Sequence, residues 1–138
     1  MGAGARCCFF NVFGPMQPAG HVYAAVIPAF VDAALAGQPV TVHGDGTQSR
    51  DFTYVGTVTA TIVEAILGRV TSPVPVNLAF GSRISLLETL DKLETIIGRP
   101  VERTHIETRA GDVRHSQADN TRLMALFPDL KPVAFDHG

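Results

Sequence analysis

The chain has 138 residues, 46% hydrophobic and 17% charged, with a formal net charge of −2. This is the profile of a globular domain long enough for one core, not of a disordered tail or a fibre, and it gives no general attraction to nucleic acid or an anionic membrane. No apolar run approaches the roughly 20 residues of a membrane helix, and "MGAGARCCFF" lacks the flank and cleavage site of a signal peptide, so a cytoplasmic location is expected.

Along the chain, short apolar β-type runs alternate with helical segments. "RCCFFNVFG" predicts a buried strand closed by the turn Gly14-Pro15, interrupted by Asn11. Its adjacent Cys7 and Cys8 suit neither a loop-closing disulfide nor a metal site and are expected to be buried as small apolar groups. "AAVIPAFVDAALAG" predicts a helix near 29–36, provided Pro28 sits in its first turn or kinks it, with Gly37 as its stop. "PVTVHG" predicts a strand. "TVTATIVEAILG" predicts a helix from near Thr57 to Gly68 with Ile62, Ile66 and Leu67 on its apolar side. "VNLAFG" is a further strand. Ser85 stands at capping-box spacing from Glu88, ahead of a stripe of Leu86, Leu90, Leu93, Ile96 and Ile97 that ends at Gly98. "VERTHIETR" predicts a strand and "ADNTRLMALF" a last short helix. No repeat, low-complexity tract or dividing linker is present.

This α/β order invites a search for a nucleotide-binding unit. "GAGAR", at Gly2 to Arg6, has no strand ahead of it and is expected to be a disordered end, so no dinucleotide fingerprint is present. Tyr23 and Tyr54 have Ile27 and Val58 four positions on, which excludes a Tyr-x-x-x-Lys acid/base pair. No Gly-x-Ser-x-Gly elbow and no His-Glu-x-x-His spacing occurs, so neither a nucleophile nor a metal site is indicated.

What remains suits a diphosphate and a ribose. Arg50 follows a loop of Gly44, Asp45 and Gly46 that can turn the chain sharply, and its guanidinium offers a fixed fork for phosphate oxygens. The plainer reading pairs Arg50 with Asp51 or Asp45 on a solvated turn. "RAGDVRHSQAD" sets Arg109, a phosphate cation, and Asp112, an acceptor for vicinal hydroxyls, around a glycine; the alternative is a surface turn with an i,i+3 ion pair. Asn11 ends a strand, where α/β sheets commonly place ligand contacts, or else satisfies a local turn.

"FFNVFGP", "YAAVIPAF", "GDGTQSRDFTYV" and "RAGDVRHSQAD", in this order and at these separations, resemble the C-terminal half of an extended short-chain dehydrogenase/reductase. The similar family is the NAD-dependent nucleotide-sugar epimerases and dehydratases. The pattern is most similar to UDP-N-acetylglucosamine 4-epimerases and their relatives the UDP-glucose 4-epimerases, and more loosely to dTDP-glucose 4,6-dehydratase and UDP-glucuronate decarboxylase. The resemblance covers nearly everything from Cys7 onward. It implies an α/β fold of Rossmann type, with 1–6 as a disordered or non-native start and 7–138 as the substrate domain. By the same resemblance Asn11 contacts the sugar diphosphate, Tyr23, Val26, Ile27 and Phe30 surround the uracil, Arg50 and Arg109 hold the phosphates, and Asp112 binds the ribose hydroxyls.

Departures from the family pattern are specific. Cys8-Phe9 stands where Arg-Tyr is usual, Met16 replaces a common arginine, and Gly56-Thr57 stand where aspartates often cap the next helix, leaving Thr57 as a weaker cap. The family's NAD-binding half, with its glycine fingerprint and Tyr/Lys pair, has no counterpart. The chain is therefore expected to bind a UDP-sugar, with NAD belonging to complete relatives and not bound by this chain alone. Three roles are open: a fragment that binds nucleotide sugar weakly, an enzyme completed by a partner chain carrying an N-terminal Rossmann half, or an inert remnant whose apolar surface serves association, including with its own copies.

Overall fold

The computed structural model describes residues 4–19, 25–109 and 111–138. In chain order its elements are β1 (Cys7–Phe9), β2 (Val12–Phe13), α1 (Val26–Leu35), β3 (Val40–His43), β4 (Ser49–Arg50), β5 (Thr53–Tyr54), α2 (Val55–Leu67), β6 (Val76–Leu78), β7 (Ile84–Ser85), α3 (Leu86–Ile97), β8 (Arg103–Ile106), β9 (His115–Ser116) and α4 (Thr121–Leu126), then a 3-10 turn at Phe135–His137. They form two compact units interleaved in sequence. The first draws on Met1–Gly14, Asp51–Ser82 and Gln117–Gly138, the second on Pro15–Arg50 and Arg83–Ser116. Each has its own apolar cluster where composition suggested a single core.

In the first unit β1 pairs in parallel with β6 and β2 in parallel with β5. The run expected as one buried strand is broken at Asn11, whose φ of 40° lies in the left-handed region that asparagine tolerates better than most residues. Nor is the run uniformly buried: Phe9 is 54% exposed, Cys8 is exposed and Cys7 half-buried, both as free thiols. Burial pushes the Cys7 thiol above its ordinary value, with a smaller push from the Cys8 thiol. The core gathers Val58, Val76, Leu78, Leu123 and Phe127.

Helix α2 starts at Val55, two residues before the expected Thr57. Its cap position is Tyr54, with no side-chain cap, and Thr57 lies inside the helix, its hydroxyl accepting from the Val133 N–H at 3.0 Å. The expected apolar side is wrong as well. Thr57, Val58 and Thr61 face inward, whereas Ile66 is 69% and Leu67 80% exposed. Burying Thr61 leaves no polar group unpaired, since its hydroxyl donates to the Thr57 carbonyl at 2.8 Å.

The same unit holds a buried carboxylate. Asp51 is wholly buried; it accepts from the backbone N–H of Gly81 and of Ser82 and from the Ser82 hydroxyl, each at 3.0 Å. The Ser82 hydroxyl also lies 3.1 Å from the Phe52 carbonyl. Gly81 has φ +76, a conformation that presents its N–H to the carboxylate at little steric cost to a residue without Cβ.

In the second unit β3 and β8 pair in parallel over Val40–His43 and Arg103–Ile106. α1 and α3 supply Phe30, Ala34, Leu86 and Leu90 to a core with Val40, Val42 and Val101. Pro28 sits in the first turn of α1, as its missing N–H requires. α3 begins with the expected capping box: Ser85 Oγ accepts from Glu88 N at 3.1 Å while the Glu88 carboxylate accepts from Ser85 N at 2.7 Å. It ends at Gly98 in the left-handed conformation. Leu93 and Ile97 pack against the core as the stripe predicts, but Ile96 is 71% exposed. Glu94, in the last turns of α3, accepts from the Val101 N–H at 2.9 Å and pairs with Arg103 at 3.1 Å. These contacts, the backbone one first, hold its carboxyl below the usual range. The two-residue strands β4, β7 and β9 form a sheet of order β7-β4-β9, antiparallel on the β7 side and parallel on the β9 side.

Candidate functional site

β4 is the central strand of that small sheet, which fixes where Arg50 starts. Ser49 N donates to the Arg114 carbonyl at 2.9 Å, and Ser49 Oγ meets His115 Nδ1 at 2.9 Å, so β4 and the 113–116 segment are tied by backbone and side chain. Along that neighbouring segment a turn closes from Arg109 to Asp112, with Asp112 N donating to the Arg109 carbonyl at 3.0 Å and Gly111 at φ +81.

The Arg50 side chain crosses to that turn. Its Nη1 donates to the Ser49 carbonyl at 2.8 Å and to the Val113 carbonyl at 2.7 Å, and its Nη2 donates to the Asp112 carboxylate in an ion pair. The pair is half-sheltered, with the Arg50 side chain 14% and that of Asp112 26% exposed. Neither Asp51 nor Asp45 is the partner. Asp51 is committed to Gly81 and Ser82, and Asp45 accepts from the N–H and hydroxyl of Thr47 at 2.9 and 2.7 Å. The Thr47 contacts, hydroxyl first, with a smaller contribution from Arg114, hold the Asp45 carboxyl below its ordinary range. A fork held by two carbonyls and a carboxylate is fixed in orientation without being fully enclosed.

The other sequence-predicted residues are placed as follows. Arg109 is exposed at the start of the turn, in the same unit as Arg50 and Asp112. Val26 and Ile27 are half-buried in the first turn of α1. Phe30 is 3% exposed and part of the second unit's core, against which Val26 packs. Asn11 is exposed in the first unit, with Nδ2 3.4 Å from the Asp51 carbonyl and its own carbonyl accepting from Thr53 N at 3.2 Å. Tyr23 lies outside the described residues. The Ser49 and Val113 carbonyls that hold Arg50 were not anticipated, since any residue supplies a carbonyl and no side-chain signal marks it.

A family model described as the NAD dependent epimerase/dehydratase family matches residues 5–79, more than half of the chain. The chain belongs to that family. It is 35% identical over 128 residues to the UDP-glucose 4-epimerase of Mycolicibacterium smegmatis, covering 93% of this chain and 40% of that protein. Among solved structures, the UDP-N-acetylglucosamine 4-epimerase of Methanobrevibacter ruminantium, in complex with UDP-N-acetylmuramic acid, is 32% identical with a TM-score of 0.80 over 92% of this chain and 40% of its own. The UDP-glucose 4-epimerase of Thermotoga maritima, solved with UDP-glucose, is 28% identical with a TM-score of 0.86 over 96% of this chain and 42% of its own. The chain thus spans about 40% of the length of these relatives. Its fold is that of part of an extended short-chain dehydrogenase/reductase, as the motifs led one to expect.

The description of this family names NAD as its cofactor. Of the glycine-rich start Gly2 to Arg6, expected as a disordered end, residues 1–3 lie outside the described residues. Among the described residues no group of His, Cys, Asp and Glu could hold a metal ion, and no helix is long and apolar enough to cross a membrane.

Proposed function

We propose that this chain supplies the nucleotide-sugar anchoring part of a UDP-sugar 4-epimerase. In this reading Arg50 and Arg109 hold the diphosphate, Asp112 accepts from the ribose hydroxyls, and Val26, Ile27 and Phe30 meet the uracil with Tyr23. Asn11 is assigned to the sugar diphosphate by the resemblance alone. The supporting observation is that Arg50 and Asp112, 62 positions apart and chosen from separate motifs, meet in one ion pair beside the Arg109 turn. No hydride or proton transfer is assigned to the residues present, since their chemistry is positioning and charge. NAD and the acid/base pair would come from a Rossmann half on another polypeptide segment.

A second role, association, is favoured by one feature. Phe9, Ile66 and Leu67 are more than half exposed on the first unit, apolar surface that a partner would cover. A UDP titration by calorimetry, with Arg50→Ala and Asn11→Ala as variants, tests the anchoring reading. Loss of a charge-assisted phosphate contact worth about 1.5–3 kcal/mol should weaken UDP roughly tenfold to a hundredfold in Arg50→Ala. Equal affinity in wild type and Arg50→Ala removes the phosphate role.

A further inference from the structure

The geometry points to the Arg50–Asp112 pair as an exchange latch that makes the anion site selective for ribonucleoside diphosphates over bare polyphosphates, an inference that rests on the anchoring reading above. Arg50 does not wait with an open fork. Three of its five N–H groups are already committed, one of them to a carboxylate, and the other two commitments, to the Ser49 and Val113 carbonyls, hold the guanidinium in place. A phosphate oxygen that claims the remaining side of the fork arrives next to the Asp112 carboxylate, which carries charge of the same sign.

Asp112 cannot easily retreat. Its backbone N–H is fixed to the Arg109 carbonyl, Gly111 holds the turn at φ +81, and its side chain is only 26% exposed. A bare anion that weakens the Arg50 contact therefore leaves a partly sheltered carboxylate without its cation, at a cost to binding. A ribonucleoside diphosphate changes the balance because it carries its own replacement donors. Its phosphate takes Arg50 while a vicinal hydroxyl pair donates to Asp112, so one contact is exchanged for two and neither charge is stranded. Asp112 is thus a specificity-determining residue through repulsion of the wrong ligand as well as attraction of the right one.

The test is calorimetric titration of the purified chain and of Asp112→Asn with UDP, 2′,3′-dideoxyuridine diphosphate and pyrophosphate. Asp112→Asn removes the charge but keeps the shape; its affinity for pyrophosphate should rise by about fivefold or more while that for UDP falls, so the preference for UDP over pyrophosphate shrinks by about tenfold or more. Wild type should bind the dideoxy ligand much more weakly than UDP, and Asp112→Asn should bind the two alike. Asp112→Ser, which also removes the charge, should behave in the same way and serves if the Asn variant fails to fold. Weaker or unchanged pyrophosphate binding in the folded variant overturns the latch while leaving Arg50 as an anchor. Failure of wild type to bind both UDP and pyrophosphate overturns the anchoring reading and the latch together.

Discussion

Asp51 should be the most costly single polar residue to replace in the first unit. Its carboxylate is wholly buried and accepts three hydrogen bonds at 3.0 Å, two of them from the backbone N–H groups of Gly81 and Ser82. In Asp51→Asn one carboxylate oxygen becomes an amide NH2, which either faces the Gly81 N–H or faces Ser82. Whichever way the amide turns, at least one donor aimed at this buried side chain meets another donor. Each unsatisfied buried group costs about 1–3 kcal/mol, so with one or two lost contacts the substitution should cost about 2–4 kcal/mol. Asp51→Ala, which strands all three donors and leaves a cavity, should cost at least as much. Urea denaturation followed by far-UV circular dichroism reads the change as a lower midpoint at constant slope. A loss below about 0.5 kcal/mol in Asp51→Asn, a value usual for surface changes, would refute the view that this carboxylate organises the Gly81–Ser82 loop.

Ser85→Ala should destabilise the second unit by about 1 kcal/mol, read by the same denaturation experiment, since it removes half of the capping box. The Glu88 carboxyl is held below its ordinary value by the Ser85 N–H first and the Ser85 hydroxyl second, and Glu94 is held low by Val101 N–H and Arg103. A depressed carboxyl contributes stability that is present above the unfolded value and lost as pH falls through the folded one. Wild type should therefore exceed Glu88→Gln and Glu94→Gln in stability at pH 7, and the gap should close in acid; a gap that widens as pH falls contradicts the assigned contacts. Purified chain mixed with NAD and UDP-N-acetylglucosamine should show no epimerised product by chromatography, because anchoring groups cannot accept a hydride; turnover by this chain alone overturns that. Ile66→Lys together with Leu67→Glu should leave the fold intact and reduce self-association in analytical ultracentrifugation. An unchanged mass distribution would show that the exposed end of α2 is not an association surface.

Legibility in the sequence followed the range of the interactions. The cap and stop of α3 are legible because the Ser85–Glu88 box and Gly98 are local signals confined to a few residues, whereas its stripe holds except at Ile96. α2 was found, but its inward face was misassigned. Hydropathy ranks Ile62, Ile66 and Leu67 above Thr57 and Thr61, yet a threonine whose hydroxyl finds a nearby partner can be buried, and the core lies beneath the first half of the helix. β4, β5, β7 and β9 have two residues each, too short for any alternation to register. For the site, the fork chemistry of Arg50 and the acceptor chemistry of Asp112 were visible as residue types. Their meeting was not, because it depends on β4 lying beside β9 across more than sixty residues, and adjacency in sequence wrongly favoured Asp51 and Asp45.

The central claim is that a nucleoside diphosphate is held by the second unit at the Arg50–Asp112 pair. The most direct test is an NMR titration of isotopically labelled chain with UDP, following backbone amides residue by residue and the Arg50 side-chain Nε–H. The account predicts saturable shifts centred on Ser49, Arg50 and Gly111 to Val113, with a second group at Val26 and Ile27, all fitting one dissociation constant. Shifts confined to other parts of the chain, or none at UDP concentrations in the millimolar range, would contradict it.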